Sequence, residues 1–252
     1  DPGSIAFGSW NNNQHSGNPN NPGLGYGAAS PKHRVFAAVT YRKEYFKFGA
    51  TSVSAFWESR SGFNTSYVFG GDLNGDGGTS NDLIYIPKDT SEMNFSNITT
   101  SSGTVRFTPA DQAAAFEAFI NQDPYLSKHR GQYARRGAIY LPFVHRVDMS
   151  LSQDVFVKWG GQQHKFQFRA DILNAGNLLN KGWGLSQDFV TNQPLVTTSS
   201  SSTSTCRVPS PTTAATYCLR TIGSGLLLNS FTPSAGIGDV YRIQFGVRYF
   251  FN

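Results

Sequence analysis

Residues Arg146–Leu173 read RVDMSLSQDVFVKWGGQQHKFQFRADIL. In the first half Val147, Met149, Leu151, Val155 and Val157 alternate with Arg146, Asp148, Ser150, Ser152 and Asp154. A period of two puts the apolar set on one face of a strand and the charged set on the other. Gly160-Gly161 then supplies a turn, and Phe166, Phe168, Ala170 and Ile172 alternate with Lys165, Gln167, Arg169 and Asp171. The pattern predicts a hairpin of two long amphipathic strands.

The same period recurs on either side. Near the end of the chain, Tyr241, Ile243, Phe245, Val247, Tyr249 and Phe251 alternate with Arg242, Gln244, Gly246 and Arg248. Upstream, Val35, Ala37, Val39 and Tyr41 share a face, and 48–57 reads as a partner strand across a turn near Lys43-Glu44. Five strands are expected, at 34–43, 46–58, 143–157, 163–174 and 239–251. Between them run 1–32, 61–142 and 175–236, rich in turn formers, expected as long loops with one helical island over 111–121 preceded by Thr108-Pro109.

Composition agrees with an all-β protein: of 252 residues 38% are hydrophobic and 15% charged, with 26 Gly, 20 Phe and 11 Tyr. No stretch approaches the roughly 20 apolar residues of a membrane helix. A mean hydropathy of −0.34 reads as soluble, yet a membrane barrel, apolar outside and polar within, averages to a similar value. In water a six-residue apolar strand face needs a partner sheet; in a bilayer it needs only lipid. The fold class expected is therefore an antiparallel transmembrane β-barrel. Bacterial single-chain barrels have even strand numbers and close at about eight or more, so five strands are expected to be one part of a larger barrel. The opening Asp1-Pro2-Gly3, without a basic and apolar leader, reads as an internal start.

Barrels of this class have short periplasmic turns and long extracellular loops. The tight turns are thus expected in the periplasm, together with the C-terminus. Tyr41, Tyr45, Phe46, Phe48, Phe156, Trp159, Phe166, Tyr249 and Phe251 then gather at the periplasmic strand ends, as an aromatic girdle would.

The ending Gln244-Phe245-Gly246-Val247-Arg248-Tyr249-Phe250-Phe251 resembles the terminal signal by which barrel-assembly machinery recognises outer-membrane proteins, carried by Gln244, Gly246, Tyr249 and Phe251. FRADILNAGNLLN, Phe168–Asn180, resembles the penultimate strand and following segment of TonB-dependent receptors, and HRVDMSLSQDVFV, His145–Val157, the strand before it. GGDLNGDGGTSNDLIYIP, Gly70–Pro87, is similar to a loop of the Oar-like receptors that carry a carboxypeptidase-regulatory-like domain. The resemblance implies that the whole chain, 1–252, is the C-terminal part of a barrel of about 22 strands. It implies an outer-membrane transporter taking up a scarce ligand with energy from TonB. Its partners would be the rest of the barrel and its plug, outer-membrane lipid and lipopolysaccharide, and TonB through an N-terminal part outside this sequence. A structural or adhesive barrel displaying its loops, and a soluble carbohydrate-binding β-sandwich, are the competing readings.

Within the loops, Asp72, Asn74 and Asp76 before Gly77 repeat the first half of a calcium loop, while position twelve is Leu83, with Asp82 one residue earlier. Calcium and a metal-free Asx-turn cluster both fit. Lys128, His129, Arg130, Arg135 and Arg136 form a basic stretch suited to lipopolysaccharide phosphates or to a solvated loop. Cys206 and Cys218 flank a polar segment, as a disulfide in an oxidising compartment would, or stand as two thiols. The lumen-facing Arg146, Asp148, Asp154, Arg169, Asp171, Arg242 and Arg248 line a substrate path, or pair between neighbouring strands or against a plug. The net charge of +5 is spread along the chain, which speaks against nucleic acid. No motif joins His33, His129, His145 or His164 to a nucleophile, and no enzyme is expected. His33 and His145 are expected to pair across the rim.

Overall fold

A computed structural model describes residues 8, 12–27, 32–100, 102–196, 216–234 and 236–251. The chain is mostly β, and among the described residues no helix is long and apolar enough to cross a membrane and no closed barrel forms. It divides into two compact units. One comprises Asp1–Ser30, Phe63–Tyr140 and Phe189–Thr232, the other Pro31–Gly62, Leu141–Asp188 and Pro233–Asn252.

The second unit is an antiparallel sheet of five strands in chain order: β1 (Arg34–Tyr45), β2 (Gly49–Ser61), β3 (Phe143–Trp159), β4 (Gln162–Leu173) and β5 (Arg242–Phe251). Because each strand has one apolar and one polar face, a one-residue slip would exchange them, so the pattern itself holds the register. The β3–β4 turn is Gly160-Gly161, at φ +63° and +80°, the geometry of a two-residue hairpin whose twist matches its strands. The first turn lies further along than the sequence predicts. β1 runs on to Tyr45, and Phe46 and Lys47 adopt φ of +53° and +56°. Lys43-Glu44 carried the polar turn signal, but pairing of Glu44 with Ala50 and Tyr45 with Gly49 extends the ladder and moves the strain onto Phe46 and Lys47.

The first unit has a core of its own, although its segments 61–142 and 189–232 read as loop. Helix α1 (Pro109–Gln122) begins in a capping box: Thr108 accepts the N–H of Asp111, whose carboxylate accepts the Thr108 N–H. Its buried Gln112, Ala115, Phe116, Phe119 and Ile120 recur at helical spacing. They pack with Tyr67, Phe69, Ile84, Ile86, Leu126 and Leu219. Gln112 ties the helix down with its amide, donating to the Ser96 carbonyl at 2.6 Å and accepting the Leu219 N–H at 3.1 Å. The strands around it are pairs of two or three residues, such as Tyr85–Ile86 with Gln132–Tyr133 and Leu195–Val196 with Cys218–Leu219. Full burial of Phe116, Phe119 and Ile120 gives roughly 6 kcal/mol before chain entropy is subtracted.

Candidate functional site

The registers assign every strand residue of the sheet to one of two faces. On the first, Tyr41, Val53, Leu151, Ala170 and Phe245 form one cross-strand row, and Val39, Ala55, Met149, Ile172 and Ile243 the next. A third row nearer the turns, Lys43, Thr51, Gln153, Phe168 and Val247, carries the polar exceptions. There the Tyr45 hydroxyl donates to Gln153 Oε1 at 2.7 Å, Thr51 donates to the same oxygen at 2.7 Å, and Gln153 Nε2 donates to the Ala50 carbonyl at 3.2 Å. The amide is therefore satisfied within the sheet and needs no water. The apolar side chains stay uncovered: Leu151, on the central strand, is 51% exposed and Phe245 81%. Five strands about 4.8 Å apart and about eight residues tall give an apolar face on the order of 600 Å² in projection. That is the top of the range of about 300–600 Å² usual for the largest apolar patch of a soluble monomer.

The other face is a charge network. Asp154 accepts from Arg42 Nη1 and from Gln167 Nε2, each at 2.8 Å, and its side chain is buried. Arg169 grips both oxygens of Asp171 at 2.8 Å, and Arg34 meets Glu58 at 2.5 Å. At the end away from the turns Arg146 donates to Asp239 at 2.7 Å and to the Ser186 hydroxyl at 3.0 Å, and Asp148 accepts the Asn174 N–H at 2.7 Å. Of the expected lumen-facing charges, Arg146, Asp148, Asp154, Arg169 and Asp171 are thus held by neighbours in the sheet or its rim.

Both turns and the end of β5 lie at one end of the sheet. Exposed Phe46, Phe48, Trp159, Phe166, Tyr249 and Phe251 gather there. The four residues expected to form a terminal signal divide between faces, Gln244 and Gly246 on the polar side, Tyr249 and Phe251 on the apolar side. Tyr249 stacks on His164, with its hydroxyl 2.6 Å from Nδ1. The expected rim pairing of His33 with His145 does not form. His145 lies opposite Ser59 and stacks with Trp57 and Phe143, while the His33 carbonyl accepts the Ser61 N–H.

In the first unit the acidic loop is drawn inward on backbone donors. Asp72 accepts the N–H groups of Gly75, Asp76 and Gly77, Asn74 that of Asp76, Asp76 that of Gly78, and Asp82 that of Leu73. The donor atoms that converge within 4.8 Å are those of His15, Asp76 and Asp82, a set without Asp72 and with a histidine no sequence motif flagged. His15 Nδ1 accepts the Gly17 N–H at 3.1 Å, so the neutral ring carries its proton on Nε2, which donates to Asp76 at 2.9 Å. The converging set lacks Asp72 and brings in a ring nitrogen, so the arrangement fits the Asx-turn cluster better than an all-oxygen calcium cage. Burial pushes Asp76 up, but hydrogen bonds from Gly78, Asn81, Asn74 and His15 outweigh it and hold the carboxyl below its ordinary range. Burial pushes Asp82 up, against the Leu73 N–H.

The basic stretch is divided among separate partners. Arg130 pairs with Glu117 at 2.5 Å and donates to Asn121 at 2.8 Å, both on α1, whereas Arg136 is bonded to Asn13 and to the Gly23 carbonyl. Arg135 is exposed, its N–H on the Tyr125 hydroxyl, and Lys128 ends a short 3₁₀ turn. Cys218 is disulfide-bonded and buried, while Cys206 lies outside the described residues. No protein-family model, curated protein or solved structure matches the chain.

Proposed function

We propose that the five-stranded sheet is part of the wall of an outer-membrane β-barrel of the TonB-dependent transporter type, its apolar face toward lipid and its charged face toward the lumen. The observation that carries this reading is the sheet's apolar face, exposed even on the central strand, on which polar side chains such as Lys43, Thr51 and Gln153 are the exception. The paired charges opposite suit a wet lumen. Nine residues from Ile243 to Phe251 rise about 30 Å, which at a 40° tilt matches an apolar band of about 25 Å. Among the described residues β1 and β5 each have a neighbour on one side only, so further strands can continue the sheet at both edges. The tight turns face the periplasm in this reading, and the two long connections face the cell exterior. A display or adhesive barrel is the second reading, favoured by the packed core within those connections; a plug and TonB box upstream in the full-length protein separate transport from display.

Single cysteines introduced into a variant lacking Cys206 and Cys218 test the orientation in cells producing the full-length protein. A water-soluble maleimide should reach Asn74→Cys on intact cells and Gly161→Cys only after the outer membrane is permeabilised. Leu151→Cys and Phe245→Cys should react only after the chain is unfolded in denaturant. Labelling of Leu151→Cys and Phe245→Cys in intact membranes would overturn the proposal.

A further inference from the structure

The first unit contains a groove of about 650 Å³, a volume typical of small-ligand sites, whose lining includes Asn12, Asn13, Gln14, Tyr26, Asn64 and Arg136. Four chain segments meet to make it. The Tyr26 N–H donates to the Arg136 carbonyl at 3.1 Å, and Asn64 Nδ2 bridges the carbonyls of Gly27 and Gly137 at 2.9 and 2.7 Å. Two glycines permit the approach. A Cβ at Gly25 would stand 2.6 Å from Arg136 Nε, and one at Gly137, which has φ +67°, would stand 2.6 Å from the Tyr26 carbonyl oxygen.

The chemistry of the lining is selective. It holds no Asp or Glu, and Arg136 is its one charge among the described residues. Arg136 spends Nη1 on the Asn13 amide oxygen and Nη2 on the Gly23 carbonyl at 3.0 Å, both neutral acceptors. No described carboxylate lies within 4.0 Å of it. A guanidinium has five N–H donors in a fixed fork, so this one is oriented by its protein partners with donors left for an anion. Tyr26 is 52% exposed and held edge-on by Tyr140 at 5.9 Å, which leaves an aromatic surface for stacking. The planar amides of Asn12 and Gln14 offer the paired donor and acceptor that vicinal hydroxyls require, the Asn64 N–H donors being held by Gly27 and Gly137 and the Asn13 oxygen by Arg136. Nucleic acid is a poor match, because a phosphate backbone is held by several cations rather than one.

We propose that this groove binds an acidic saccharide, with the carboxylate or phosphate on Arg136, ring hydroxyls on the Asn12 and Gln14 amides, and a sugar face against Tyr26. The inference rests on the first unit alone and stands whether or not the sheet faces lipid. Calorimetric titration of the purified full chain in detergent micelles tests it, with digalacturonate and glucose 6-phosphate as acidic sugars, maltose as the neutral sugar, and acetate and inorganic phosphate as bare anions. At least one acidic sugar should bind at least about tenfold tighter than maltose or either bare anion, a ratio one charge-assisted hydrogen bond supplies. Arg136→Gln should remove that preference. Since Arg136 also bridges Asn13 and Gly23, Gly27→Trp provides a second variant. A Cβ there meets no atom within 4 Å and its φ is outside the left-handed region, so a side chain can be added at this lining position without backbone strain, and an indole is large enough to obstruct the groove. It should abolish binding while leaving the melting temperature of the chain unchanged. Absence of acidic-sugar binding to the folded wild type, equal binding of maltose, or undiminished binding to Gly27→Trp would each overturn the proposal.

Discussion

Asp76 and Asp82 sit in one loop and respond to it in opposite senses. Asp76, held below its ordinary range, adds stability that is present above the unfolded carboxylate value of about 4 and is lost as pH falls through its lower folded value. Asp82, pushed above its ordinary range by burial, favours the fold when protonated, so its contribution is present at low pH and lost as pH rises through the folded value. Asp82→Asn keeps an oxygen for the Leu73 N–H and removes the buried charge. It should melt about 3 °C above wild type at pH 7 and with it at pH 3, as calorimetry will show. If the loop is an Asx-turn cluster, a chelator should leave that melting temperature unchanged; a chelator-sensitive transition would return the loop to calcium. Asp123 presents the opposite case, a buried carboxylate with every oxygen engaged. It accepts from Tyr67 at 2.7 Å, from Ser230 at 2.5 Å and from the N–H groups of Tyr125 and Leu126 at 2.8 Å. Asp123→Ala leaves those donors buried and should cost roughly 3 kcal/mol in denaturant unfolding of the first unit.

At the scale of elements, the long strands were legible because one face of each is nearly all apolar, which makes a two-residue period visible in composition alone. Gly160-Gly161 was legible because two positive φ values in succession favour glycine. The first turn was misplaced by the same reasoning, since Phe46 and Lys47 carry no turn signature yet adopt that geometry. The two turns should therefore differ in their tolerance. Gly161→Val places a β-branched side chain at φ +80° and should destabilise the β3–β4 hairpin by about 2 kcal/mol, whereas Phe46→Asn, at φ +53°, should stabilise β1–β2. Denaturant midpoints in micelles distinguish the two. α1 was legible from Thr108-Pro109 and the helical spacing after it. The two-residue strands around the helix were not, because their pairing is set by the core and not by local alternation. The groove was illegible for a related reason: Asn13, Tyr26, Asn64 and Arg136 lie on segments far apart in sequence, and no spacing announces that they meet.

The two units obey opposite rules of solvation, which yields a test on the whole chain. The first unit hides Tyr67, Phe69, Phe116, Phe119 and Ile120 and has the interior of a water-soluble protein. The sheet does the reverse, exposing Leu151, Phe168, Phe245 and Val247 while its charges pair on the other face. Moving from water to an apolar phase removes the cost of exposed apolar surface, so it should stabilise the sheet and do little for the first unit. Amide hydrogen exchange reads the units separately. In micelles the ladder amides of Val53, Leu151 and Ala170 should be protected, and in detergent-free buffer that protection should fall at least about tenfold, or the chain should associate through the exposed face. The amides of Phe69, Ile84 and Leu227, which donate within the first unit to Asp82, Tyr67 and Arg220, should be protected equally in both. A monodisperse chain whose sheet amides exchange as slowly in plain buffer as in micelles would mean that the apolar face needs no lipid, and the barrel-wall reading would fall while the acidic-saccharide site remained untouched.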